Sequence, residues 1–300
     1  MTPNPFDINQ SQPYRQWRAQ KLEWLQSGTQ VSIHHLPSTQ DLSPSQKHSI
    51  QECCKQYGFA VYALPEGAQG DKTWLLTLAA QFGLHHIDSN LCADEDSVTS
   101  LQVLKGGQQK TYIPYSNKPL NWHTDGYYNA SGKRIQSFLL HCASDAETGG
   151  ENGLMDTELA YIRLRDENPD YIRALMHPEA LSIPPNQTGE NLIRDTETGP
   201  VFSIAPQTGC LLTRYTARKR YIHWREDETT LEAVAFLQNL LTSGENGVVR
   251  YRLSPGQGII CNNVLHCRTG FKDSPNKQRL YFRARYYDRV GETCRHPTSY

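Results

Sequence analysis

The sequence has 300 residues and is almost neutral, with 30 basic side chains against 31 acidic ones. That length suits one large domain or two ordinary ones, and 16 tyrosines with 5 tryptophans supply apolar surface for a sizeable core. The balanced charge does not indicate a protein that binds nucleic acid or an anionic membrane. No apolar run approaches the roughly 18 residues that span a bilayer.

The N-terminus and the cysteines predict the compartment. Residues 1–5 carry no basic segment followed by an apolar stretch, so no secretory signal is predicted. The 8 cysteines, two of them adjacent at Cys53 and Cys54, lack the pattern of a disulfide framework. No Cys-x-x-Cys pair indicates a thiolate zinc site. We therefore expect a cytoplasmic protein with reduced, mostly buried cysteines.

The first 97 residues are predicted to form an α/β lead-in. Ser43 and Pro44 have the order of an N-cap and a first helical residue, and Gly58 ends the helix that follows. Asp71 caps a further helix, which Gly83 ends. The predicted elements, in chain order, are helix 13–27, strand 31–33, helix 44–57, strand 59–64 and helix 72–82.

From about residue 98 the pattern changes to short strand-like runs separated by glycine, proline and asparagine. Two helical insertions, near 156–177 and near 229–243, interrupt these runs. One face of the second insertion is predicted to carry Leu231, Val234, Leu237 and Leu241. The predicted strands cover 100–104, 135–143, 201–204, 209–215, 248–253, 257–261 and 278–287.

Many short strands with a few helices predict an α+β fold with a mainly β core. We expect a double-stranded β-helix, or jelly roll, over residues 98–300, with residues 1–97 as the lead-in. No internal repeat and no low-complexity linker divides the sequence. Residues 1–300 are therefore predicted to form one domain.

Two short stretches far apart in the sequence carry metal-ligand side chains, Asn-Trp-His-Thr-Asp-Gly at 121–126 and Asn-Asn-Val-Leu-His at 262–266. On a strand, or at its end, the period of two places His123 and Asp125 on the same face. His266 follows the apolar run 258–261, where a buried strand is expected to emerge. If they converge, two imidazoles and one carboxylate form the facial site with open positions that suits non-haem Fe(II).

Other histidines compete for this role. His86 and Asp88 repeat the His-x-Asp spacing, but they follow a helix end without a strand pattern, which favours a surface loop or the rim of an active site. His141 lies in the middle of a predicted strand and is expected to be a hydrogen-bonded core residue. His223 lies in a polar, arginine-rich loop, where solvent exposure is favoured over a role in binding substrate.

The surroundings of the first site resemble the Fe(II)/2-oxoglutarate-dependent dioxygenases of the TauD/TfdA superfamily, and most of all the γ-butyrobetaine hydroxylase branch. The resemblance covers roughly residues 98–177 and 255–290. Its motifs are His-Thr-Asp-Gly-Tyr-Tyr at 123–128, Ile-Gln-Ser-Phe-Leu-Leu-His-Cys at 135–142, Gly-Gly-Glu-Asn at 149–152, Asn-Asn-Val-Leu-His-Cys-Arg at 262–268, and Arg279.

The resemblance implies that His123, Asp125 and His266 bind iron. It also implies that Arg279, thirteen residues after His266, binds the distal carboxylate of 2-oxoglutarate. Asn152 stands where such families usually have threonine or serine beside that carboxylate, and its amide can still donate a hydrogen bond. The N-terminal zinc-binding module of the branch has no counterpart here, so the carnitine-pathway substrate is not carried over.

The last predicted strand places Arg279, Tyr281, Arg283 and Arg285 on one face. One interpretation is an edge strand whose basic face is solvated. The other is that planar guanidinium groups hold carboxylates there. In the second interpretation Arg279 binds the cosubstrate, and Arg283 binds an anionic part of the substrate or a neighbouring carboxylate.

Further substrate-binding candidates lie near the metal motif and in a basic segment. Tyr127 and Tyr128 follow Asp125 directly. They are predicted to pack over a substrate or to form part of a cage for a quaternary ammonium group, with plain packing as the alternative. The segment 214–225 begins at Arg214 and is dense in arginine, which suits an anion-binding or lid segment as well as an exposed loop.

The expected cofactors are Fe(II), 2-oxoglutarate as cosubstrate, and O2. By resemblance, the reaction hydroxylates an unactivated C–H bond of a small, charged organic substrate and releases succinate and CO2. Halogenating relatives lack the carboxylate, so the presence of Asp125 favours hydroxylation. Desaturation, oxidative demethylation and C–S or C–N cleavage at the same site are the alternatives.

Two alternatives come from other classes of protein. A non-catalytic, cupin-like binding protein would not need Arg279 beside the metal. A zinc hydrolase with the same three ligands needs a general base near the metal, and neither motif has a spare glutamate. The sequence does not identify the substrate, and a homo-oligomer is compatible with it.

Overall fold

The computed structural model describes residues 3–27, 31–37, 41–89, 94–104, 112–188, 191–218, 220–244 and 247–291. Within these ranges there are six helices: Ser11–Ser27 (α1), Pro44–Tyr57 (α2), Lys72–Ala80 (α3), Thr157–Glu167 (α4), Pro169–Leu175 (α5) and Glu228–Ser243 (α6). None of the helices in these ranges combines the length and the apolarity that crossing a bilayer requires.

The same ranges contain nineteen strands. The first ten are Ile33–His35 (β1), Phe59–Ala63 (β2), Thr99–Leu101 (β3), Leu120–His123 (β4), Ser137–Ser144 (β5), Thr148–Gly149 (β6), Asn152–Met155 (β7), Leu181–Ile183 (β8), Asn186–Thr188 (β9) and Asn191–Arg194 (β10). The others are Glu197–Gly199 (β11), Phe202–Ile204 (β12), Leu211–Thr213 (β13), His223–Trp224 (β14), Val249–Tyr251 (β15), Gln257–Cys261 (β16), Leu265–Arg268 (β17), Phe271–Lys272 (β18) and Leu280–Tyr286 (β19).

Two sheets position the candidate site. A six-stranded sheet has the order β1-β2-β16-β5-β19-β3, and a four-stranded sheet has the order β15-β7-β17-β4. Neighbouring strands run antiparallel except β1 and β2, which are parallel. Phe138 and Arg283 of the larger sheet and Asn152 and His266 of the smaller one line the same cavity. The two sheets therefore face each other across that cavity.

The capping residues of α2 act as predicted. The Ser43 hydroxyl accepts a hydrogen bond from the backbone N–H of Gln46, whose side chain accepts from Ser43 in return, forming a capping box. Gly58 ends the helix at φ 80°, a left-handed conformation that favours glycine. A Cβ at this position would also lie 2.7 Å from the Val264 side chain. The end of α2 therefore packs directly against the segment that precedes His266.

The first helical insertion, predicted near 156–177, is two helices instead of one. Asn168 ends α4 in an extended conformation, and its side chain caps α5 by accepting from the N–H of Asp170. Pro169 then occupies the first turn of α5, where its missing N–H costs nothing. In α6 the prediction that Leu231 belongs to the buried apolar face is wrong. Leu231 is 50% exposed, because the buried face of this helix is centred on Leu237.

Helix α1 connects the lead-in to the helical insertion through buried contacts. Lys21 is 1% exposed, and its ammonium group lies 2.6 Å from the Asp156 carboxylate and 2.8 Å from that of Glu158. Both acidic residues belong to the start of α4. Trp17 packs edge-on against Tyr161 of α4, with ring centroids 6.4 Å apart. Buried charge and aromatic packing therefore connect the N-terminal helix to the helical insertion.

Each strand predicted after residue 98 has an observed counterpart, in most cases shorter. The predicted strand 31–33 is shifted to β1, because pairing in parallel with β2 sets Ile33 opposite Val61. The helix predicted to residue 82 ends at Ala80, since residues 81–83 form a turn with Gly83 at φ 77°. The strands β4 and β17 were not predicted, because both are short and pair across a long sequence distance.

The cysteines follow the prediction with one exception. Free and buried in the described ranges are Cys53, Cys54, Cys142, Cys261 and Cys267. Cys210 is disulfide-bonded, so the expectation of reduced cysteines is wrong at this position. Sequence spacing does not reveal which distant thiols come within bonding distance.

Candidate metal centre

The three predicted ligands meet where β4 and β17 pair. His266 lies directly opposite His123 in this antiparallel pair. Asp125 lies two residues beyond the end of β4, in a turn where Gly126 has φ 65°. His123 ends the strand, so the turn, and not the period of two, brings the carboxylate to the side of the imidazoles. One ligand atom from each of the three residues lies within 4.8 Å of the others.

Backbone hydrogen bonds orient both imidazoles. The Nδ1–H of His123 donates to the carbonyl of Asn121 at 2.8 Å, and that of His266 donates to the carbonyl of Val264 at 2.9 Å. With Nδ1 protonated, each Nε2 keeps its lone pair and faces Asp125, at 3.7 Å and 3.9 Å. Burial, together with the neighbouring His123, lowers the pKa of His266 to about 3. Its imidazole is therefore neutral near pH 7, as a metal ligand must be.

Arg283 keeps Asp125 ionised. Its guanidinium lies 2.9 Å from Oδ1 of Asp125. Burial alone would raise the pKa of Asp125, but the charge of Arg283, above all, outweighs burial and holds this pKa well below its usual range. In the described part of the chain, Oδ2 of Asp125 is buried without a hydrogen-bond partner. A buried carboxylate with an unpaired oxygen, whose other oxygen faces two imidazoles, is a donor set that fits Fe(II).

Asn263 fixes the backbone of the ligand turn. Its Oδ1 accepts from the N–H of Asp125 at 2.8 Å, and its Nδ2 donates to the carbonyls of Asp125 at 3.0 Å and Ile135 at 2.7 Å. Sequence reasoning missed this residue. The available signal was the Asn-Asn pair, because Asn263 has φ 49°, and asparagine tolerates this left-handed conformation better than most residues.

We expect Asn263→Ala to lower the free energy of unfolding by about 3 kcal/mol, since three buried hydrogen bonds are each worth roughly 1 kcal/mol. Asn263→Gly loses the same bonds but relieves the positive φ, so it is expected to be about 1 kcal/mol more stable than the alanine variant. Chemical denaturation measures both values. A loss below about 0.5 kcal/mol, the range of ordinary surface changes, would contradict this role for Asn263.

Arg279 lies on the wall of the cavity beside the metal site, together with Asn152 and Arg268. Arg279 is 3% exposed, its guanidinium lies over the Tyr281 ring at 3.8 Å, and burial lowers its pKa. In the described ranges no carboxylate lies within ion-pair distance of Arg279, and its Nε has no partner. Such a group needs an anion. Asn152, which lines the same cavity, donates a long hydrogen bond to the carbonyl of Tyr251 at 3.3 Å.

The interpretation of the last strand as a solvated edge is wrong. The observed strand β19 lies between β5 and β3, and a register shift occurs between Leu280 and Tyr281. Arg285, on the same face as Arg279, is 2% exposed. Sequence reasoning also missed Arg268, a buried arginine that donates to the carbonyls of Ser116 and Lys118 at 2.9 Å and 2.6 Å.

The tyrosines that follow the ligand turn have different surroundings. The Tyr127 ring is buried and stands perpendicular to the His123 ring, with centroids 6.3 Å apart. The hydroxyl of Tyr128 accepts from Arg285 at 3.1 Å. Tyr127 is therefore in contact with the metal site, and Tyr128 is held beside a positive charge.

The competing His-x-Asp motif does not form a metal site. Asp88 is paired with Arg285 and accepts from the hydroxyl of Tyr287 at 2.5 Å. The exposed His86 instead contacts Asp288 at 2.8 Å. Across the described ranges, the group of His123, Asp125 and His266 is the one set of at least three side chains spaced to hold a metal ion. Through Arg285, Asp88 belongs to the surroundings of the site and not to the ligands.

Three further predicted positions lie outside the cavity. His141 is fully buried, and its Nδ1 is 3.1 Å from the Tyr62 hydroxyl, as expected of a core histidine. His223 is exposed on β14. Arg214 is buried, and its guanidinium donates to the carbonyls of Leu181 and Glu197. Binding of substrate by Arg214 stays a prediction.

Comparison with known proteins agrees with this geometry. Residues 23–285 match the family described as “Taurine catabolism dioxygenase TauD, TfdA family”. The chain belongs to this family. A TauD/TfdA protein with the ligand set found here is a non-haem Fe(II)/2-oxoglutarate-dependent oxygenase, which excludes the cupin-like binding protein.

Several relatives of this TauD/TfdA oxygenase carry more specific names. A uridine-5'-phosphate dioxygenase from Amycolatopsis sp is 31% identical over 171 residues, 55% of this chain and 60% of that protein. One from Streptomyces sp is 27% identical over 243 residues, 78% of this chain and 86% of that protein. The crystal structure of an asparagine oxygenase with Fe(II), 2S,3S-3-hydroxyasparagine and succinate has the same fold, with a TM-score of 0.58, 17% identity and coverage of 81% and 79% of the two chains.

Proposed function

We propose that this oxygenase hydroxylates a C–H bond of a small phosphate ester, with uridine 5'-phosphate as the first candidate. The similarity to two uridine-5'-phosphate dioxygenases is the observation that carries the substrate class. The likeness to the γ-butyrobetaine hydroxylase branch would favour a quaternary ammonium substrate instead. Arg285 opposes that reading, because its guanidinium already occupies the hydroxyl end of Tyr128, one of the two rings expected to form the cage.

In this proposal the two facing sheets are the halves of a jelly roll, and the ion pairs of Lys21 join the lead-in to it as one catalytic unit. His123, Asp125 and His266 hold iron. Arg279 and Asn152 bind the distal carboxylate of 2-oxoglutarate in the cavity beside the ligands. When bound, iron, 2-oxoglutarate and O2 supply the oxidising power, and succinate and CO2 are released.

The residues of the chain contribute orientation and charge. The Nδ1 hydrogen bonds of both histidines hold their Nε2 atoms toward one point. Arg283 binds Oδ1 of Asp125, the oxygen that faces both imidazoles, and so holds the carboxylate in position. Phe138 and Leu140 line the cavity next to Arg279 and limit the access of water to the carboxylate clamp. The side chains of the site are therefore preorganised for the reaction.

The test is succinate formation by the purified protein with Fe(II), 2-oxoglutarate and O2. We expect succinate to form in proportion to added uridine 5'-phosphate, with an oxygenated product identified by mass spectrometry. Uridine, γ-butyrobetaine and taurine serve as comparison substrates, and Asp125→Ala serves as the inactive enzyme. Coupled turnover of γ-butyrobetaine without any of uridine 5'-phosphate would overturn the proposed substrate class and leave the oxygenase assignment standing.

A further inference from the structure

Four arginines lie outside the set of residues that line the cavity, and the reaction site described above uses none of them. They are Arg134, Arg194, Arg214 and Arg218, here called the arginine cluster. The segment that contains Arg214 and Arg218 runs beside the metal strand: Thr216 pairs with His123, and the N–H of Thr124 donates to the carbonyl of Tyr215 at 3.0 Å. Arg214 and Arg218 therefore lie on a segment that is hydrogen-bonded to the segment carrying His123.

Two guanidinium groups of the cluster converge on one point. A Cβ placed on Gly199 would lie 3.4 Å from Nη1 of Arg214 and 3.7 Å from Nη2 of Arg134. Burial first, and then the charge of Arg134, lower the pKa of Arg214 to about 10, and Arg194 acts in the same direction. The absence of a side chain at Gly199 leaves space beside these repelling groups.

Arg218 lies on the segment that runs beside the metal strand. Its backbone N–H donates to the hydroxyl of Thr216 at 3.4 Å, and Thr216 pairs with His123. The Tyr127 ring stands against His123 at a centroid distance of 6.3 Å. The segment of Arg218 and the Tyr127 ring therefore both lie next to His123.

The cluster is not neutralised within the described residues. Arg134 donates to the hydroxyl of Ser203 at 2.7 Å, and Arg194 donates to the carbonyls of Asp195 and Pro184 at 2.8 Å and 2.6 Å. In the described ranges none of the four forms an ion pair with a carboxylate within 4.0 Å.

Arg214 is the most confined member of the cluster. It is 4% exposed, yet its Nε has no partner in the described residues. Glu197 is the carboxylate that raises the pKa of Arg214 from a longer distance, after burial and Arg134 have lowered it. Buried guanidinium groups without a counter-ion are costly, and a bound anion removes that cost.

We propose that the arginine cluster binds the phosphate of the substrate, with Arg134 and Arg218 as direct ligands and Arg194 and Arg214 supplying charge behind them. Forked guanidinium groups suit a phosphate monoester because they donate two parallel hydrogen bonds to its oxygens. The pairing of Thr216 with His123 then brings the segment of Arg218, and the phosphate with it, next to the strand that carries the metal ligand. This inference rests on the proposed function, which supplies the phosphate ester.

Calorimetry tests the subsite on protein loaded with Fe(II) and 2-oxoglutarate under anaerobic conditions, with uridine 5'-phosphate, uridine and inorganic phosphate as probes. Each of Arg134→Gln and Arg218→Gln is expected to weaken uridine 5'-phosphate binding by about 10-fold or more, the range of a charge-assisted hydrogen bond. Uridine binding is expected to stay unchanged. In turnover, KM rises while kcat changes little.

Arg225→Gln is the matched control, because Arg225 follows in the same segment but is paired with Asp227 at 3.3 Å. Equal losses for uridine and uridine 5'-phosphate, or wild-type binding in Arg134→Gln and Arg218→Gln, would overturn the subsite while turnover of uridine 5'-phosphate keeps the proposed function. If uridine 5'-phosphate is not a substrate, inorganic phosphate decides: binding that is equal in the wild type and the double variant also overturns the subsite.

Discussion

Asp125→Ala is expected to abolish iron binding and to lower kcat/KM by at least about 10³-fold, equivalent to roughly 4 kcal/mol. The substitution removes the one anionic ligand and leaves two neutral imidazoles. It also frees the charge of Arg283, which lies 2.9 Å from Oδ1 of the native carboxylate. A guanidinium without its partner then repels a dication at short range.

The measurement is the visible charge-transfer band that forms when Fe(II) and 2-oxoglutarate are added without oxygen. We expect the band in the wild type and none in Asp125→Ala. Asp88→Ala is the matched control, because Asp88 is also a buried carboxylate paired with an arginine, Arg285, but is not a ligand. A wild-type band in Asp125→Ala, or an equal loss in Asp88→Ala, would contradict the role of Asp125 as a ligand.

Helix ends were predictable because their signals are local. Ser43 and Gln46 form their capping box within four residues, and Gly58 supplies the left-handed conformation at the other end of the same helix. The metal strands β4 and β17 gave no such signal, since each has four residues and their pairing joins residues more than a hundred positions apart. The ligands could still be identified, because the family motif contains the residues that this long-range pairing brings together.

The supporting residues were harder to predict than the ligands. Asn121 and Asn262 also lie near the ligands in the sequence, but Asn121 supports His123 through its backbone carbonyl, and the Asn262 side chain accepts from the N–H of Val290. The residue that holds the ligand turn is Asn263, through bonds to backbone groups of residues 125 and 135. Which backbone groups come within reach depends on the tertiary fold, so a sequence pattern does not reveal it.

The basic strand illustrates the same limit. Alternation placed Arg279, Arg283 and Arg285 on one face, yet it did not distinguish a solvated edge from a buried carboxylate clamp. The position of β19 between β5 and β3 decides this question. For Arg283 both a substrate anion and a neighbouring carboxylate were open, and its partner in the structure is the carboxylate of Asp125.

Arg279→Ala is expected to raise the 2-oxoglutarate concentration needed for half-maximal rate by about 100-fold. Truncating one partner of a buried, hydrogen-bonded charge pair costs roughly 2–5 kcal/mol, which allows a loss of this size. Arg279 is nearly fully buried in the cavity wall and has no carboxylate within ion-pair distance in the described ranges, so a ligand carboxylate would be its main anionic partner. Steady-state kinetics with varied 2-oxoglutarate measure this effect, and Fe(II) titration is expected to remain close to that of the wild type.

One further variant at this position separates charge from hydrogen-bond geometry, and a variant at another arginine is the control. Arg279→Lys keeps the positive charge but loses the planar fork, so it is expected to restore only part of the affinity for 2-oxoglutarate. Arg250→Ala is the surface control, because Arg250 is exposed on β15, with its guanidinium 5.7 Å from the centre of the Trp122 ring, and is not among the residues that line the cavity. Loss of iron binding in Arg279→Ala, with an unchanged 2-oxoglutarate requirement for the remaining activity, would mean that Arg279 supports the architecture and does not bind the cosubstrate.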